Sequence, residues 1–98
     1  MIIVHDTFVC KPGNASKLAK MFKESAKLSP AESLYVLTDM TGQWHRVIMV
    51  SQFENLAAYE ANWKKMENPP EEMKKDMERY KDMNDMYVSG NREIFKVW

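Results

Sequence analysis

Apolar and polar positions change period several times along the chain, and each change marks an element. Residues 2–10 are apolar and rich in β-branched side chains, and they stop at Pro12-Gly13 before a helix could form, which predicts a strand. Over residues 15–28, Ala15, Leu18, Ala19, Phe22 and Ala26 recur at intervals of three and four, while Lys17, Lys20, Lys23 and Lys27 share the other side. This is the pattern of an amphipathic helix with a basic outer face. Asn14 or Ser16 can cap its start, and Ser29-Pro30 ends it because a residue before proline avoids helical dihedrals. Two β-prone runs, 33–40 and 44–53, are separated by Thr41-Gly42-Gln43, the composition of a hairpin turn, and should pair antiparallel. Asn55 then caps a second helix in which Leu56, Tyr59, Trp63 and Met66 form a stripe about 80° wide. Asn68-Pro69-Pro70 splits the helical region. Glu71-Glu72 reopen it, with Met73, Met77, Tyr80 and Asn84 on one stripe that runs to about Asp85. A turn at Gly90-Asn91 leads into a last strand, 92–98.

The order βαββαβ with right-handed crossovers predicts an α+β, ferredoxin-like fold: a four-stranded antiparallel sheet with helices on one face. A sheet with water on its other face should alternate apolar and polar residues, and these strands do not. Ile2, Val4 and Phe8 point one way along the first strand and Ile3 and Val9 the other; in the third, Ile48 and Val50 oppose Val47, Met49 and Phe53. Helices cover only one face. The remainder exceeds the roughly few hundred Å² of apolar patch that soluble monomers tolerate, so a homodimer through the sheet faces is expected. The alternative is a strongly twisted sheet with short loops over its second face.

Composition narrows the setting. Ninety-eight residues make one domain, 1–98, and 14 basic against 14 acidic side chains give zero net charge, which leaves no field toward nucleic acid or an anionic membrane. RNA-recognition motifs share this element order but stack bases on sheet aromatics. Here Ile3, Ile48 and Val50 occupy those positions, and aliphatic residues offer no stacking platform. Cys10 is the only cysteine, so no intrachain disulfide or zinc ribbon can form. No apolar run approaches the roughly 20 residues of a membrane span, and Met1-Ile2-Ile3-Val4 meets His5-Asp6 too soon for a signal peptide, so a cytoplasmic protein is expected.

The first strand running into Lys11-Pro12-Gly13 before a helix, followed by Phe53-Glu54-Asn55-Leu56-Ala57-Ala58-Tyr59-Glu60-Ala61-Asn62-Trp63, resembles the dimeric α+β barrel superfamily over the whole chain. That superfamily includes the antibiotic biosynthesis monooxygenases and the NIPSNAP proteins, and the second stretch is most similar to NIPSNAP domains. The resemblance implies two sheets paired face to face. Members that degrade haem use a first-strand asparagine, a tryptophan on the second helix and a later histidine. Here Trp63 matches, Asp6 stands near the asparagine position, and no histidine follows His45, so haem degradation does not fit. The cofactor-free quinone-forming monooxygenases likewise place a tryptophan on the second helix, and Trp63 is the residue that carries over.

Candidate chemistry is sparse. His5 and Asp6 sit mid-strand, where one of them should line a cavity between sheet and helices; adjacent residues face opposite sides, so they cannot form a dyad within one chain. A histidine hydrogen-bonded inside the dimer interface is the plainer reading of His5. Trp63, with Tyr59 and Tyr80, can build an aromatic pocket wall or simply fill the core. Cys10 and His45 end neighbouring strands and can meet as thiol and base, although a strand-end cysteine is more often a small hydrophobe. Trp44, His45 and Arg46 can rim a pocket or the dimer edge. The methionines around the helix pair suit irregular core gaps, and the lysine face of the first helix a solvated surface. No glycine-rich phosphate loop or paired-cysteine motif is present, and His5 and His45 are offset by about four residues, or roughly 13 Å, too far to share a zinc ion. The expectation is therefore no metal and no cofactor. Two functions compete: a cofactor-independent monooxygenase-type enzyme acting on a small aromatic or polyketide-like substrate oriented by Trp63, His5 and Asp6, and a non-catalytic dimeric module that binds a small apolar or aromatic ligand.

Overall fold

A computed structural model describes residues 1–26, 33–67, 69, 71–78 and 82–98. Their order is β1 (Ile2–Cys10), α1 (Ala15–Ser25), β2 (Ser33–Thr38), β3 (Arg46–Phe53), α2 (Leu56–Glu67), α3 (Glu71–Glu78), one 3-10 turn at Met83–Asp85, and β4 (Tyr87–Lys96). The strands form one antiparallel sheet in the order β2-β3-β1-β4, the ferredoxin-like arrangement. The central strand β1 is paired along both edges, and its alternation decides what each face carries.

Register gives the faces directly. Asp6 opposes Met49 on β3 and Arg92 on β4, and it shares its side with Val4 and Phe8; His5 opposes Val50 and Glu93 and shares its side with Ile3 and Thr7. The first of these faces is the one the helices cover. Leu18 and Phe22 of α1 close over Cys10 and Val47, with Phe8, Val36, Met49, Met83, Met86 and Tyr87 around them. A second cluster joins Ile2, Val4 and Phe53 to Ala58 and Tyr59 of α2. The core is thus in two parts.

Several elements differ from the sequence reading, each for a local reason. β4 runs straight through Gly90-Asn91, where a turn was expected. Gly90 opposes Phe8 within an unbroken strand, has no positive φ, and leaves a Cβ position at an ordinary 3.8 Å from the Phe8 ring, so nothing local forces a turn there. The hairpin between β2 and β3 is also longer than three residues, spanning 39–45. Gly42 (φ 87°) and His45 (φ 63°) adopt left-handed dihedrals in it. The Asp39 carboxylate accepts the Arg46 backbone N–H at 2.8 Å, while the Arg46 guanidinium donates to the Gln43 and Thr41 carbonyls at 3.0 and 3.2 Å. These bonds satisfy the loop from within.

Helix α1 starts after Asn14 as expected, although the Asn14 side chain makes no capping bond, and it ends at Ser25 with Ala26 as cap. Ser29-Pro30 lies outside the described residues. Asn55 does cap α2, its side-chain oxygen accepting the Ala58 N–H at 2.8 Å. The stripe on α2 is rotated from the one expected. Leu56 is 60% exposed, whereas Tyr59 meets the sheet as expected, joined by Ala58.

Two substitutions check this packing by chemical denaturation. Leu18→Ala removes a fully buried side chain and should cost about 2–5 kcal/mol, whereas Leu56→Ala should stay within about 0.5 kcal/mol of the parent.

Candidate functional site

Between the two core clusters the helix-covered face carries a charge pair. The Arg92 Nε–H donates to Asp6 Oδ1 at 2.5 Å, across the β1–β4 register that makes the two residues direct partners. The Asp6 side chain is 18% exposed and that of Arg92 46%, so the carboxylate is the sheltered partner and the guanidinium reaches the surface. Above the pair stands Trp63 of α2, with the Arg92 guanidinium carbon 4.7 Å from the centre of its ring, a cation–π contact. Trp63 in turn meets Tyr59 edge to face at 6.3 Å, and Tyr59 meets Phe53 at 5.2 Å. The Tyr59 hydroxyl is buried and has no hydrogen-bond partner among the described residues. A buried phenol without a partner is uncommon in folded proteins.

Asp6, Trp63 and Tyr59 are therefore brought together, as the sequence reading grouped them. One other member of that reading is not. His5 lies on the opposite, helix-free face, where its ring meets Phe95 edge to face at 5.1 Å. Tyr80 lies outside the described residues. Trp63 is 41% exposed, so it is a half-open wall and not core. The residue that sequence reasoning missed is Arg92. Its signal was present: Arg92 and Glu93 are adjacent charges in the middle of the last strand, so alternation sends them to opposite faces, and only the β1–β4 register shows that Arg92 shares the face of Asp6.

The strand ends of Cys10 and His45 do meet, through backbone: the Cys10 N–H donates to the His45 carbonyl at 2.7 Å. The thiol itself is buried among Leu18, Phe22 and Val47, and burial pushes its pKa above the ordinary 9.0, the reverse of what a nucleophile needs. His45 instead borders a shallow open recess of about 370 Å³ with Trp44, Asp39, Thr38, Ala15 and Ser16. Arg46 is committed to the 39–45 loop and is not a pocket rim. Among the described residues no three of His, Cys, Asp and Glu converge as a metal site, and no helix is long and apolar enough to cross a membrane.

No family model and no curated protein matches the chain. Solved structures do. A NIPSNAP family protein of unknown function from Agrobacterium tumefaciens superposes with a TM-score of 0.79 at 15% identity, over 99% of this chain and 87% of that one. An uncharacterised NIPSNAP domain protein from Burkholderia xenovorans gives 0.74 at 9% identity, over 100% and 95%. An antibiotic biosynthesis monooxygenase gives 0.65 at 12% identity, over 100% and 99%. The chain has the fold these proteins share, and identities this low carry the fold alone.

Two outcomes follow from the burial of these groups. Native Cys10 should react with a disulfide reagent at pH 7–8 far more slowly than the unfolded chain. Because its folded pKa is raised, the stability contributed by the protonated thiol is complete below the ordinary value and declines as pH rises through the folded one. Denaturation curves between about pH 8 and 10 should accordingly fall more steeply for the parent than for Cys10→Ala. Trp63→Ala should cost about 2 kcal/mol or less, below the roughly 3–5 kcal/mol of a fully buried aromatic, as read from the same curves.

Proposed function

We propose that two copies of this chain pair through their helix-free sheet faces and that the helix-covered side of each holds a small-molecule site built on Asp6, Arg92, Trp63 and Tyr59. The reaction assigned to that site is cofactor-independent, monooxygenase-type oxidation of a small aromatic or polyketide-like compound. The observation that carries this reading is the Arg92 guanidinium held between a carboxylate and an indole, with Tyr59, whose buried phenol has no partner among the described residues, against that indole.

The chemistry asks little more of the protein. Direct attack of dioxygen on a phenolic ring begins from its anion, and a fixed cation beside the developing oxyanion favours that form. Asp6 Oδ1 is taken by Arg92, whereas Oδ2 has no hydrogen-bond partner among the described residues and is available to accept the phenolic proton. Dioxygen then adds one oxygen atom to the ring and the other leaves as water, so a phenol and dioxygen give a quinone and water. Trp63 and Tyr59, their ring planes 84° apart, supply an apolar corner for the ring.

Pairing is supported by the opposite face. Tyr35, Leu37 and Phe95 stand 62%, 46% and 44% exposed there, on the same side as Ile3, Ile48 and Val50. In the dimer His5 is enclosed at this interface and has a structural role. The second reading, a dimeric binding module without turnover, is favoured by one feature: both histidines lie away from the site, which leaves Asp6 as its one candidate base among the described residues.

Light scattering at micromolar concentration should give twice the chain mass, and Ile48→Lys should give the monomer; a monomeric parent refutes the paired sheets. Oxygen uptake with a panel of hydroxynaphthalenes should be measurable and should fall at least about tenfold in Asp6→Ala and Trp63→Ala. Binding without uptake selects the second reading.

A further inference from the structure

Arg92 uses one of its donors in a particular way. The contact with Asp6 is made by Nε alone, on the side of the guanidinium, and among the described residues neither Nη1 nor Nη2 makes a hydrogen bond. A guanidinium presents five N–H groups in a rigid fork, and its end, formed by the two Nη atoms, matches the spacing of a carboxylate. The Nε bond from β1 and the Trp63 ring from α2 hold the plane of this group, so its orientation is set before any ligand arrives. Its 46% exposure leaves that end within reach of solvent.

Resting on the small-molecule site proposed above, we infer that the ligand is an organic acid, an aryl carboxylate or an enolic acid of similar shape, whose anionic group docks end-on against Arg92 Nη1 and Nη2 while its ring lies against Trp63. Toward the docked anion, apart from its role as base, Asp6 then acts through Arg92 and has a second effect. Its carboxylate orients Arg92, and its negative charge also lowers the anion affinity that Arg92 confers. Asparagine at this position keeps an oxygen to accept the Nε–H and removes the charge, so it separates the two effects.

The test uses the whole protein and two probes of nearly equal shape, 2-naphthoate and the neutral 2-naphthalenemethanol, titrated by calorimetry at low salt. The parent should bind the acid at least about tenfold tighter than the alcohol, the range expected for a charge-assisted bidentate contact. Arg92→Gln should bring the two within about twofold of each other. Asp6→Asn should tighten the acid by about three- to tenfold and leave the alcohol unchanged, a gain that a merely structural role for Asp6 would not produce. Trp63→Leu should weaken both.

Equal affinity of the parent for acid and alcohol overturns the inference while leaving the small-molecule site standing, provided Trp63→Leu weakens both. Failure of both probes to bind at millimolar concentration overturns the site and the inference together. A preference for the acid that survives Arg92→Gln also overturns it, since another cation would then be responsible. The comparison of acid and alcohol on the parent needs no variant, so the inference stays open to refutation even if a substituted chain does not fold.

Discussion

Pairing of β1 along both edges removes every choice except which of its two alternating sets of side chains is buried under the helices. Val4 and Cys10 are almost completely buried and Phe8 packs beside them, so period two places Asp6 in the same set and sends His5 to the other face. A single-residue slip would exchange them. The candidate site, the apolar helix-free face and the separation of His5 from Asp6 all descend from that one alternation.

Asp6 also explains why the core has two parts. A carboxylate among Val4, Phe8 and Met49 cannot be closed over by apolar side chains without a partner, because an unpaired charge in such surroundings is strongly disfavoured. Arg92 supplies the partner, and Trp63 and Tyr59 cover the remainder from one side. With Arg92 nearly half exposed, the pair adds about 1 kcal/mol of stability at most. Its importance is geometric: it fixes a cation and an aromatic plane against each other on rigid elements.

The opposite end of the sheet is organised by a different arginine. Arg46 closes the 39–45 loop with three bonds, two from its guanidinium and one from its backbone N–H to the Asp39 carboxylate. A left-handed His45 is disfavoured by about 1 kcal/mol or more, and it lets the loop pass its carbonyl to the Cys10 N–H. Cys10 and His45 thus meet in the backbone ladder while the thiol turns inward. Proximity between strand ends, which the order of elements already implies, says nothing about which groups face each other.

Local pattern determined the elements, their order and hence the sheet, because apolar β-branched runs, the Leu18 and Phe22 stripe and the Asn55 cap are short-range signals read within a few residues. It also determined that both faces of β1 and β3 are apolar. Only the tertiary structure decided which face carries Asp6, since parity divides residues into two sets without saying which set the helices cover. Only the tertiary structure joined Arg92 to Asp6, 86 positions apart, because a strand register is a property of two segments and of neither alone. Gly90-Asn91 reads as a turn until β1 is laid beside it, and the α2 stripe of Leu56, Tyr59, Trp63 and Met66 keeps Tyr59 against the sheet but leaves Leu56 exposed and adds Ala58. In each case a residue's role is set by a partner far along the chain, which no local period records.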